Sequence, residues 1–295
     1  MLERRRGIFW YLVIAFVPAW LIWEGAIRLG LSPANASLFQ FVALPGAFFP
    51  AIASIVVRKW ITREGFADAG LRLSLRRGWR YYLAGWLLPA GVVAVIALLA
   101  SILGIARPDF TFERAAKLLA ARGGTAASMP PGLPIWLPFV LLAQAAVFTP
   151  VLWGEEFGWR GYLQLRLFPG RPLLSAVATG LIWGLWHLPI NIRGYNFPGF
   201  PLRGMIVFTV STVLLSIIFG WLRARSGSIW APSLAHAATN AVGGSLTMLL
   251  FATGGSTAMP AAPLFVSYLG ILAWIPLGGL CVWIVATGRL KPAEK

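Results

Sequence analysis

WLPFVLLAQAAVFTPVLWGEEFGWRGYLQLR, residues 136–166, is an apolar run that carries Glu155, Glu156 and Arg160 near its end. Crossing the hydrocarbon core of a bilayer takes about 20 residues of helix. The run makes a full span only if it continues through the Glu-Glu pair, which places Glu155 inside the membrane. A charged side chain at the bilayer centre costs about 2.5–3.5 kcal/mol on insertion scales. Three such residues within six positions persist where they do something; a helix ending at the surface, with its charges in water, is the plainer alternative.

Working outward, the whole chain has the same character. Its 295 residues are 58% hydrophobic and 12% charged, with mean hydropathy +0.76. A soluble domain carries about a quarter charged residues, so the fold expected is all-α and polytopic in a membrane. The 25 Lys+Arg against 9 Asp+Glu lie between apolar runs. They read as topology determinants and headgroup contacts rather than a nucleic-acid surface. The single cysteine, Cys281, excludes an intrachain disulfide. Arg4-Arg5-Arg6 ahead of an apolar stretch resembles a signal peptide. No small-x-small site follows it, only Trp20-Leu-Ile-Trp-Glu24, so an uncleaved first span is expected.

Apolar runs of spanning length fall near 7–23, 37–57, 81–105, 136–165, 173–192, 206–222, 228–251 and 263–286. About eight transmembrane helices follow, in one transmembrane domain over 1–295, with no repeat and no second domain. With the N-terminus inside, the inner segments hold 17 basic residues and the outer ones seven. That asymmetry obeys the positive-inside rule and predicts both termini in the cytoplasm of a multi-pass plasma-membrane protein.

Two outer loops have character of their own. Phe112, Ala115, Ala116 and Leu119 share one face of a short helix, suited to the interface or equally to an ordinary loop helix. The segment 193–203 (RGYNFPGFPLR) offers Tyr195, Phe197 and Phe200 as aromatics at headgroup level, an ordinary aromatic belt. The 58–80 segment is a basic cytoplasmic loop too short for a domain.

Both histidines lie inside expected spans. His187 closes Trp183-Gly-Leu-Trp-His187 in the fifth span, and His236 opens His236-Ala-Ala-Thr-Asn240 in the seventh. Residues four apart share a helix face, which pairs Trp183 with His187, His236 with Asn240, and Glu156 with Arg160. At about 1.5 Å per residue from the inner surface, Glu155 lies ~15 Å deep, His187 ~22 Å, His236 ~12 Å and Asn240 ~18 Å. All four fall near the middle of the core, between helices 4, 5 and 7. A single membrane His or Asn is often interhelical glue, Glu156–Arg160 reads as a structural pair, and Trp183 alone reads as packing. Their coincidence at one depth argues for a site.

Other intramembrane hydrolases fit poorly. Neither histidine is followed by Glu, as a His-Glu-x-x-His zinc site requires. Asp68 and Asp109, the only aspartates, lie in loops, and Ser226 lacks a nucleophile context. Glutamate plus histidine activating water remains.

Glu155-Glu156-x-x-x-Arg160, then aromatic-x-x-x-His187, then His236-x-x-x-Asn240, on successive helices, resembles the CAAX-protease and bacteriocin-processing (CPBP, Rce1-like) family of intramembrane endopeptidases. The resemblance covers about 150–245, within a family-like core of about 136–251. The family's second motif usually begins with Phe, where this chain has Trp183. The resemblance implies that Glu155, with His187, activates water for attack on a peptide carbonyl. It implies that His236 and Asn240 stabilise the oxyanion, and that Glu156 and Arg160 hold their helix in place. A neutral histidine and an amide would donate to the oxyanion without adding charge.

The function expected is an intramembrane endopeptidase acting on a membrane-associated protein or peptide, of CAAX type or of bacteriocin or signal type, with or without a lipid group. Its environment is membrane lipid, and nucleic acid is no partner. The alternative is a non-catalytic immunity or regulatory protein that keeps the motif for binding; a transporter with a midplane Glu/His relay ranks third, unsupported by broken-helix repeats. On metal, Glu155, His187 and His236 offer an open zinc shell. The metal-free mechanism is preferred because each histidine's motif partner lies on its own helix instead of being a carboxylate, and Arg160 is better placed to occupy Glu156.

Overall fold

The computed structural model describes residues 2–33, 36–121, 132–252 and 261–291, and among them no strand. Six helices are long and apolar enough to cross a membrane: α1 (Leu2–Arg28), α2 (Leu38–Ile61), α3 (Leu75–Ile102), α4 (Pro134–Arg166), α6 (Pro201–Ser226) and α8 (Ala262–Ala286). The other two expected spans are also helical, as α5 (Pro172–Trp186) and α7 (230–250). The fold is thus an all-α polytopic bundle. The two helices outside the six are the ones that carry the histidines. α5 has 15 residues, about 22 Å of helix against a core of about 30 Å. In α7, Thr239, Asn240, Gly243, Gly244, Ser245 and Thr247 dilute the apolar run.

The fifth span was expected to run unbroken to residue 192. It stops at Trp186, with His187 as its C-cap, and restarts as the short turn Leu188–Asn191. Pro189 supplies the reason: it lacks an N–H and its ring crowds the carbonyl one turn earlier. His187 therefore sits at a helix break, where its N–H donates to the Gly184 carbonyl at 3.1 Å and its carbonyl accepts from Asn191 N–H at 3.0 Å.

α6 is the most enclosed of the six long helices. It meets α5 through small residues, as membrane helices do in the absence of a hydrophobic driving force. A Cβ on Gly180 would lie 2.6 Å from Val213 Cα. Thr212 Oγ1 donates to the Gly180 carbonyl at 3.1 Å and Ser216 Oγ to the Ala176 carbonyl at 2.8 Å. α7 packs between α3 and α4 with Ala231, Ala235, Ala237 and Ala238 buried.

Three sequence expectations change here. Arg58 is no headgroup contact. It is fully buried, its Nη1 2.8 Å from Asp68 Oδ1 and its Nη2 donating to the Gly161 carbonyl at 2.8 Å, so it ties the 62–74 loop to α4. The 193–203 segment is no belt: Phe197 is buried against Val207, Phe208 and Leu264, and Tyr195 packs on Phe39 with ring centroids 6.1 Å apart. The short helix forms over Glu113–Ala121 and buries Phe112, Ala115 and Ala116 inside the protein. Arg122 and Lys295, counted in the charge asymmetry, lie outside the described residues.

Candidate active site

Gly154 and Gly158 bracket the two glutamates on α4, and both face α2. A Cβ on Gly154 would lie 2.8 Å from Phe48 Cδ1, and one on Gly158 would collide with Pro50. Only hydrogen at these positions allows the close approach. The approach sets the rotation of α4, which turns Glu155, Glu156 and Arg160 into the bundle. All three are buried, Glu156 and Arg160 completely.

Glu156 Oε1 lies at the junction of α4 and α7. It accepts from Arg160 Nη1 at 3.0 Å and stands 2.9 Å from His236 Nδ1. The i, i+4 pair expected from sequence is present. The expectation that Arg160 would occupy Glu156, leaving His236 no carboxylate, fails, because one oxygen serves both partners. Arg160 also lies face-on to two rings, its Cζ 4.7 Å from the Trp183 centroid and 5.2 Å from that of Phe219. Cation–π attraction of this kind is strongest when desolvated.

Glu155 turns a different way, as its offset of about 100° around the helix requires. Its Oε2 accepts the indole N–H of Trp183 at 2.8 Å. The reading of Trp183 as packing is thereby corrected: it is a hydrogen-bond donor to Glu155 as well. One turn on, His187 Nδ1 is 3.0 Å from the Trp183 carbonyl. Trp186 and Phe208 wall its ring at centroid distances of 4.8 and 4.9 Å.

These partners assign the tautomers. A carbonyl or a carboxylate only accepts, so each histidine places its proton on Nδ1. Neutral His187 then presents an acceptor at Nε2. Neutral His236 does the same, so it has no N–H left for an oxyanion. Donation to an oxyanion needs a proton on Nε2 as well, while Nδ1 stays 2.9 Å from Glu156 Oε1.

Asn240 does not join this network. It is exposed, and its side chain makes no hydrogen bond among the described residues, whereas His236 is buried. α7 widens to a π-helical turn over Thr239–Gly244, which holds Asn240. A second π turn, Trp159–Leu163, follows the Glu-Glu motif on α4. Such turns gather at functional sites.

Among the described residues, no three His, Cys, Asp or Glu side chains group closely enough to hold a metal ion. The suggested zinc shell of Glu155, His187 and His236 is therefore not assembled in this arrangement. One residue passed unnoticed in the sequence. His187-x-x-x-Asn191 repeats the His236-x-x-x-Asn240 spacing, and Asn191 is buried. Its Oδ1 accepts from Asn196 Nδ2 at 2.7 Å, while its own Nδ2 has no partner among the described residues.

The fold and this cluster define a class: a polytopic helical membrane protein with a buried carboxylate–histidine–arginine centre between three helices. Residues 134–242 match the model of the Rce1-like family, described as type II CAAX prenyl endopeptidase Rce1-like, so this part of the chain is similar to that family. The matched region contains Glu155, Glu156, Arg160, Trp183, His187, His236 and Asn240. No curated protein matches the chain. At the level of the family, the activity is endopeptidase cleavage.

Proposed function

We propose that the protein is an intramembrane endopeptidase in which Glu155 and His187 activate water against a substrate peptide bond. The observation that supports this best is the linkage of three helices through motif side chains. Glu155–Trp183 joins α4 to α5, and Glu156–His236 joins α4 to α7. Glu155 takes a proton from water while His187 Nε2 accepts the other O–H and orients the oxygen. The oxygen bonds to the carbonyl carbon, whose own oxygen becomes the oxyanion. His236, its Nδ1 held on Glu156, and Asn240, exposed to an incoming chain, donate to it. When the C–N bond breaks, the amine nitrogen takes the proton held by Glu155, leaving a carboxylic acid and an amine. Preorganised donors of this type contribute most where water is excluded.

The test is hydrolysis of a reporter-peptide library, prenylated and unprenylated, by purified protein in proteoliposomes. Cleavage that persists after exhaustive chelation supports the metal-free mechanism. Loss with chelator, restored by stoichiometric zinc, moves Glu155, His187 and His236 into ligand roles. Saturable binding of a library peptide with no cleavage supports the immunity or regulatory alternative.

We further place both termini on the cytoplasmic side of the plasma membrane, from the 17 to seven distribution of basic residues. Reporter fusions after Lys295 and within 106–130 should report cytoplasm and exterior respectively. An exterior signal from the C-terminal fusion overturns the orientation.

A further inference from the structure

Trp183 touches Glu155, Arg160, His187 and His236 without having a part in the hydrolysis as described. Its indole N–H donates to Glu155 Oε2 at 2.8 Å, and its carbonyl receives His187 Nδ1 at 3.0 Å. Arg160 covers its ring at 4.7 Å, and His236 meets the ring edge-on at 5.1 Å. Its side chain is buried, with Phe219 beside it at 6.1 Å.

We propose that Trp183 is a positioning residue, whose indole N–H fixes the carboxylate plane of Glu155 and reserves Oε1 for the attacking water. This rests on the hydrolase reading above. The terminal torsion of a glutamate is broad and two-fold, so packing alone does not fix which oxygen faces a substrate. One hydrogen bond to an ionised oxygen does, and charge-assisted bonds are about twice as strong as neutral ones. Tryptophan is held rigidly for the task. Its ring is packed by the Arg160 guanidinium at 4.7 Å and the two histidine rings at 5.1 and 6.1 Å, and its backbone is fixed by the same turn that presents His187. Phenylalanine, the residue with which the family's motif usually begins, fills the same space and keeps the cation–π contact. It has no N–H. The hydrogen bond to Glu155 is therefore a feature of this chain's tryptophan that the aromatic ring alone does not provide.

Trp183→Phe isolates it. In the proteoliposome assay kcat should fall about ten- to a hundred-fold at unchanged KM, the scale expected of a misplaced catalytic group. The second readout is spectroscopic and independent of turnover. In protein labelled with 15N at the indoles, the signal missing from Trp183→Phe belongs to Trp183. That signal should move upfield in Glu155→Gln, as an ionised acceptor becomes a neutral one. A merely structural tryptophan would leave both kcat and the resonance in place. Wild-type kcat in Trp183→Phe, beside an inactive Glu155→Gln, overturns the proposal and leaves the hydrolase reading standing. Equal turnover by wild type and Glu155→Gln overturns the hydrolase reading, and the positioning role with it. If Trp183→Phe does not accumulate, Trp183→Leu assigns the signal by its absence, and an indole resonance unmoved by Glu155→Gln overturns the proposal.

Discussion

Glutamine at position 155 should abolish hydrolysis while leaving the protein folded and abundant. The amide matches the carboxylate in shape, and its oxygen still accepts the Trp183 N–H, so the link between α4 and α5 survives. No charge is left without a partner, because Arg160 keeps its ion pair with Glu156 at 3.0 Å. What disappears is the base. General-base catalysis contributes about 10²–10⁴ in rate, and the amide cannot take a proton from water at neutral pH. Rates in proteoliposomes, set against the yield of detergent-solubilised monodisperse protein, separate the two effects. A Glu155→Gln variant that cleaves at the wild-type rate removes Glu155 from the chemistry. One that fails to accumulate shows instead that its charge holds the bundle together.

Much of this organisation is readable in the sequence, for physical reasons that also set the limit. Apolar runs locate helices because backbone groups in lipid must be satisfied within the segment. The length of the 136–166 run carried α4 through Glu155 and Glu156. The Glu156–Arg160 pair was legible because four residues is one helical turn. Its third partner was not, since His236 is 80 positions away and helix rotation decides whether the two meet. That rotation is fixed by the close contacts of Gly154 and Gly158 with α2, which a sequence shows only as two glycines. The break at His187 was written in Pro189, but the apolar run around it reads as continuous. The π turn at Thr239–Gly244 leaves no local signature, so Asn240 was placed beside His236 and is instead exposed. Arg58 looked like every other arginine of a basic loop until Gly161 and Asp68 were brought to it.

The shared oxygen of Glu156 leads to the second large effect. Glu156→Gln leaves Arg160 completely buried, with two rings for company and no counter-ion. Removing one partner of a buried ion pair costs about 3–5 kcal/mol, so thermal stability and yield should drop sharply. The rings over which Arg160 lies offset only part of this, about 2 kcal/mol when desolvated. Activity should fall further than yield does. A glutamine can accept from His236 Nδ1 but is an uncharged and weaker acceptor, so it holds the ring less firmly. The two consequences come apart in the double variant Glu156→Gln/Arg160→Met. Removing both charges and filling the space with a methionine should restore most of the stability, as apolar replacement of buried pairs often does. It restores nothing to His236, so activity per folded molecule should stay low. Full activity in that variant would mean that His236 works without a carboxylate behind it. A single Glu156→Gln variant as stable as wild type would mean that Arg160 finds another partner.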